Sequence, residues 1–479
     1  MSGLGDARRA DRWALPRLVP LVVVLSLCGI GVVVGSADRL LAADLPAGTI
    51  QQATKAVQDH RYQDALDLLR SADAVAPASA EVARIRAQAH VGLGQAKEAF
   101  EQYERLAQAL GKDDDAMLRE VAFPFISAMF KDMRDQMRGA SYTAAKELES
   151  DAMVPYLEDG LSDGSGLVRA LAAESLGLLP KGRQSERLRK AMDDDAAMVR
   201  ANVVHAVGVA GNKRETAFLE NALKDEQPMV RVQAMAALVR FGHGDMWAQL
   251  ASAADAANPE ARATALRLIG ELKDARGLPI AVERSKDQMP SVRGGAAAAL
   301  GLLGKKEGLE ALTALVHDKI PAVRSAAAVA LGEIDTKDAI PVLKQALDDV
   351  DPGVRGAAVD SLLRMNHPFP EVEPAIRKLM LGQDPGPRSA VGKALARASG
   401  PNRQAALAYL EQLIHDTLPR PRIAAARSLG RIGGREQLPD LKEMLKDSDP
   451  AVQSTAAASI IRILHATSAA PSAAHAASH

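Results

Sequence analysis

The sequence predicts an all-α protein, an α-α superhelical solenoid preceded by a shorter helical segment. Three observations lead there. Aromatic residues are scarce, 14 in 479, while 47% of the chain is apolar and rich in Ala and Leu, a composition that suits closely packed helices better than sheets. A period of 31 residues, lengthened to 33 and 34 in two late steps, runs from about residue 157 almost to the carboxyl end. Within each period the apolar positions recur at helical spacing.

Charge and cysteine content narrow the function classes. The 59 Lys and Arg balance 60 Asp and Glu, so no global field draws the chain to nucleic acid, and none is expected as a partner. A single cysteine, Cys28, forms no internal disulfide and builds no thiolate metal site.

At the amino end, residues 18–37 carry no charge. As a helix they would span about 30 Å, one bilayer core. Arg8, Arg9, Arg12 and Arg17 precede the stretch and Asp38 follows it, so the positive-inside bias holds the amino terminus in the cytoplasm. Residues 1–45 are therefore expected to be a membrane anchor, or a signal peptide cleaved near the small residues Gly35 and Ala37, with the repeats on the periplasmic side of a bacterial inner membrane. Cys28 reads as apolar filler, because Leu27 occupies the place where a lipoprotein box has a small residue.

Residues 46–112 contain a 34-residue echo: Ala65 and Leu69 with Pro77, then Ala99 and Tyr103 with Gly111. This resembles a pair of tetratricopeptide repeats, although the first-helix signature is poor. Residues 113–150 read as a helical connector, with Met117, Val121, Phe125, Met129 and Met133 at helical spacing as core.

From residue 151 to 464 the pattern Val-Arg, or a close variant, returns in ten units, the arginine position falling at 169, 200, 231, 262, 293, 324, 355, 388 and 422 and taken by Gln453 in the last. Seven residues after it every unit has Leu, Val or Ile, and three after it eight units have Ala. These positions share one face of a buried helix with the residue before the arginine. A first helix is marked by Leu157, Leu188 and Leu219 and their equivalents, twelve residues before the arginine. Pro228, Pro259, Pro290 and their equivalents, three before it, stop the first helix and suit the first turn of the second. Such helix pairs cannot bury their stripes alone and must stack.

With its repeated D-x-x-P-x-V-R-x-x-A signature, this region resembles HEAT repeats, in particular the short units of phycobilisome lyases. The resemblance implies that Asp163, Asp194, Asp225, Asp287, Asp318, Asp349 and Asp416, with Arg169, Arg200, Arg231, Arg293, Arg324, Arg355 and Arg422, form a structural ladder along the stacked turns. It also leaves a bilin-type lyase as the alternative to a non-catalytic scaffold. Residues 465–479, Ala and Ser with three histidines, are expected to be a disordered tail.

No catalytic, cofactor or metal site is expected. Gly160-Leu161-Ser162-Asp163-Gly164 fits a nucleophile motif in letters, but that motif needs a strand, a sharp turn and a helix. His243 and Trp247 belong to a locally packed connection, and the insertion His367-Pro368-Phe369-Pro370 reads as a tolerated surface bulge.

Units differ most on the far side of the second helix. There Arg364, Lys393, Arg397, Arg427, Arg431 and Arg462 make a basic stripe, interrupted by Asp360. The stripe is a candidate groove for an acidic protein or peptide; alternatively the cations simply end their helices, where the dipole stabilises each by about 0.3 to 1 kcal/mol.

Overall fold

A computed structural model describes residues 47–70 and 79–475, with side chains for 48–70 and 79–466. The apolar stretch 18–37, Cys28 and Pro77 lie outside the described residues. Among the described residues there is no strand, and no helix is long and apolar enough to cross a membrane.

The chain is an α solenoid. Two helical hairpins come first, Ala47–Gln58 with Tyr62–Leu68 and Ala80–Gly92 with Ala96–Leu110. Their cores are the residues that the echo singled out, since Ala65, Leu69, Ala99 and Tyr103 are all buried. A Cβ at Gly92 would lie 2.3 Å from the Tyr62 ring, so that glycine lets the two hairpins meet.

Each unit that follows is an outer helix, a tight turn and an inner helix. The eight inner helices from Pro228–Phe241 to Pro450–His475 all begin on proline, whose missing N–H costs nothing in the first turn. Inner helices of successive units pack side by side, whereas outer helices scarcely touch one another, so the array curves with its inner helices on the concave side.

The reason lies in small residues. Eight positions after the arginine stands glycine in Gly177, Gly208, Gly270, Gly301, Gly332 and Gly430, each against Ala or Ser of the next inner helix. A Cβ at Gly270 would sit 2.8 Å from Cα of Ala299, and one at Gly208 would sit 2.6 Å from Cβ of Ala237. The approach lets Ser361 and Ser459 donate hydrogen bonds to the carbonyls of Ala328 and Ala426 on the preceding helix, at 2.9 and 2.8 Å. Gly270→Ala is expected to lower the urea-unfolding free energy by about 1 to 3 kcal/mol through overpacking, despite a gain in helix propensity of about 1 kcal/mol. An unchanged or raised midpoint would show that the helices can yield there.

The segment 113–150 is not a connector but an additional repeat. Its outer helix is Asp115–Ser127 and its inner helix Asp135–Glu147, with Arg138 in the recurring arginine position, 31 residues before Arg169. Ser141 and Ala145, three and seven residues on, are buried like their equivalents. Met117, Val121, Phe125 and Met129 are core as expected, but Met133 is 97% exposed because the helix has ended and the chain is turning.

Curvature brings the last unit back to this leading one. The inner helix Pro450–His475 packs against both Asp115–Ser127 and Asp135–Glu147, and from Ala451 to Ile461 every side chain is buried. A terminal helix buried on all sides cannot be the free end of an open solenoid. Ion pairs join the outer rim: Arg435 to Asp115 at 2.6 Å, Lys442 to Asp113 at 2.7 Å and Lys446 to Glu104 at 2.8 Å. The repeats thus close on themselves. The same helix runs on to His475, beyond the boundary expected at 464.

The insertion at 367–370 is not a surface bulge either. Phe369 is buried, opens the helix Phe369–Met380, and donates its backbone N–H to the side-chain oxygen of buried Asn402 at 3.0 Å.

Candidate interaction surfaces: the turn edge and the concave face

The turn edge is built by one repeated arrangement. Each Asp accepts a hydrogen bond from the backbone N–H two residues on, as Asp318 does from Ile320 at 2.8 Å, which shapes the turn before the inner helix. The arginine six residues later turns one nitrogen back to its own turn, Arg324 Nη1 donating to the carbonyl of Asp318 at 2.9 Å. Its other two nitrogens fork onto the Asp of the following unit, Arg324 to Asp349 at 2.8 Å for both. The ladder therefore joins neighbouring units, each arginine bonding to both its own turn and the next.

Most of the ladder residues named from the sequence occupy these places. Arg169 pairs with Asp194, Arg200 with Asp225, Arg293 with Asp318 and Arg324 with Asp349. Asp163, Asp287 and Asp416 take partners that were not named, Arg138, Arg262 and Arg388, and Arg422 takes Asp447. Arg231 and Arg355 depart from the pattern: each donates to its own turn carbonyls, but the next unit offers Ala256 or Gly382 where a carboxylate would stand.

The guanidinium forks hold the carboxyls of Asp225, Asp318 and Asp349 below the usual range, and at the closure Lys442 and Tyr103 do so for Asp113 against the opposing effect of burial. A depressed carboxyl stabilises the fold fully above its unfolded value, about 4, and the stabilisation is lost as pH falls through the lower folded values. Urea midpoints are expected to hold near neutrality and fall steeply below about pH 4. Constant midpoints down to about pH 2.5 would contradict the ladder's contribution.

On the concave face the basic stripe meets its own counter-charges. Arg427, Arg431 and Arg462 converge on Glu147 of the leading unit at 3.4, 3.0 and 3.9 Å, across the closure. Arg364 and Arg397 share Asp360 at 3.6 and 3.3 Å, and also face Glu333, whose carboxyl is raised by burial against their pull. Lys393 is exposed and makes no ion pair among the described residues. Most of the expected groove is thus internally neutralised, in part by a carboxylate that lies 284 residues from Arg431 in sequence. A similar group links Arg240 to Glu271 at 3.2 Å, with His205 3.9 Å from the same carboxylate and its imidazole pKa lowered by burial.

Ser162 lies in the turn between two repeat helices, as its context implied, and its neighbour Asp163 is held by Arg138. Trp247 packs locally, with the Arg276 guanidinium 4.2 Å above its ring. Among the described residues no cluster of His, Cys, Asp and Glu could hold a metal ion.

A family profile described as HEAT repeats matches residues 247–320, 278–363, 343–421, 373–461 and 408–476. No curated protein matches the chain. Among solved structures, human deoxyhypusine hydroxylase in complex with glycerol is 18% identical, over 66% of this chain and 97% of that one, with a TM-score of 0.30. An engineered protein is 17% identical, over 73% and 99%, with a TM-score of 0.28. Kap121p bound to Nup53p is 14% identical, over 88% and 58%, with a TM-score of 0.36. Residues 247–476 are a run of HEAT repeats, and the same outer helix, turn and inner helix extend back from them to Asp115.

Proposed function

We propose that this chain is a non-catalytic scaffold that binds proteins or peptides on the surface of its closed repeat array. The carrying observation is how its charged groups are used. The Asp and Arg residues that could have suggested chemistry hold unit to unit, and most of the basic stripe engages carboxylates of the array itself. The turn edge meanwhile presents stacked exposed loops on a rigid frame, an arrangement suited to recognition.

The finer reading places the scaffold in a bacterial cell envelope, held or exported by residues 18–37. It treats the leading hairpins as tetratricopeptide-like and the repeats as the short phycobilisome-lyase-like kind, with no bilin chemistry. In-cell crosslinking followed by mass spectrometry of captured proteins tests it. Reproducible capture of a few envelope proteins, through residues of the turn edge, is the expected result. Capture of none above a control, or covalent bilin transfer to an apoprotein by the purified chain, would defeat the scaffold reading.

A further inference from the structure

At the joint between the units of Arg355 and Arg388 the ladder lacks its carboxylate. Arg355 holds its own turn, donating to the carbonyls of Asp349 at 2.7 Å and Val350 at 3.1 Å, but Nε is buried without a partner. The place that Asp416 or Asp447 fills at later joints is here Gly382, whose own carbonyl accepts from Arg388. A guanidinium shaped to grip a carboxylate therefore faces an exposed loop whose one carboxylate, Asp384, is turned away to cap the following helix, accepting from the backbone N–H of Gly386 at 2.8 Å.

The flanks of this joint are also unusual. Val350 is 90% exposed and Leu381 is 82% exposed, one on each of the two turns that bracket the arginine. At the corresponding places in the other turns the chain has polar or small residues, such as Asp195, Glu226, Gln288 and Lys319 for Val350, and Asp193, Lys224 and Lys286 for Leu381, Met133 being the apolar exception. At the other incomplete joint the Arg231 turn presents Glu226 instead, a carboxylate of its own and no apolar flank.

We infer that this joint is a peptide-binding seat, in which an Asp or Glu side chain of a partner completes the ladder on Arg355 while apolar residues beside it cover Val350 and Leu381. Charge complementarity selects the carboxylate, the planar fork orients it, and the two aliphatic side chains select apolar neighbours. The inference rests on the scaffold reading and gives it a site and a ligand class.

The seat can be filled from within. Gly382 has no left-handed backbone angle, and a Cβ there would meet nothing nearer than 3.9 Å, so Gly382→Asp can supply the missing carboxylate in cis. This variant is expected to fold and to melt at a higher temperature than the parent.

Random dodecapeptides displayed on phage are selected against the full chain, and binding of the enriched peptides is measured by fluorescence anisotropy. The expected consensus is an acidic residue with apolar neighbours. Its affinity should fall about tenfold or more in Gly382→Asp and in Arg355→Gln, the loss of one charge-assisted pair, and persist in Arg231→Gln. Enriched peptides indifferent to both changes would overturn the seat while leaving a peptide-binding scaffold. Failure to enrich any peptide would also overturn the seat, and the crosslinking result would then decide separately whether the scaffold reading survives.

Discussion

A chain ending at Asp449 should fail to give a compact, soluble protein. Removing residues 450–479 takes away a helix buried on every side, with Val452, Ile460, Ile461, Ile463 and Leu464 in its core-facing set. At about 1.5 to 3 kcal/mol for each large aliphatic side chain, the loss is on the order of 10 kcal/mol, comparable with the whole stability of a typical domain. The cut also uncovers the apolar faces of Asp115–Ser127 and Asp135–Glu147. An open solenoid tolerates loss of an end repeat, because each unit touches only its neighbours. The expected result is aggregation, or strong binding of a hydrophobic dye, with unfolding no longer cooperative. A soluble truncated chain whose helix content falls only in proportion to the residues removed would refute the closure.

Arg293→Ala should be among the most damaging single changes in the ladder. Arg293 and Asp318 are each about nine-tenths buried, and the arginine also satisfies the turn carbonyls of Asp287 and Gln288 at 2.9 and 3.0 Å. Truncation leaves a carboxylate out of water without its counter-charge, for which about 3 to 5 kcal/mol is the usual cost. Peptide or partner binding by the protein that remains folded should persist. Arg231→Ala is the natural comparison, because Ala256 leaves no carboxylate to be orphaned, and a loss of about 1 to 2 kcal/mol from the turn bonds is expected. Equal urea midpoints for the two variants would mean that the carboxylate pairs add nothing beyond the turn bonds.

The repeat was legible in the sequence because each unit restates the same local problem. A stripe of Leu and Ala at helical spacing, a proline at the inner-helix start and an Asp six residues before an Arg are local signals, repeated often enough to overcome the weakness of each. The leading unit escaped notice because Met137 replaces valine, Ser141 replaces alanine and the proline is absent, while Arg138 and Asp132 keep the spacing. The six-residue spacing of Asp132 and Arg138 is the mark of the repeat that survives there. The glycine eight residues after the arginine was equally visible in six units, and it is the residue type that draws the inner helices together.

The pairing of charges was not legible in the same way. Position in a unit shows which face a side chain occupies, but not which face lies opposite it. The last three arginines of the basic stripe read as unpartnered because their carboxylate, Glu147, stands at the other end of the array. Likewise Arg355 has the sequence setting of a ladder residue, but Gly382, two residues out of the regular period, stands where its partner should be.

By itself the sequence determined the all-helical class, the unit, its turn and most residues of the ladder, since these follow from local periodicity and turn chemistry. Only the tertiary structure decided that the array curves far enough to meet itself, that the last helix is a buried wall rather than an end, and that most of the basic stripe belongs to the seam. Curvature is the sum of small differences in spacing between inner and outer helices over many repeats. No single unit carries that sum, so only the stacked array reveals where it ends.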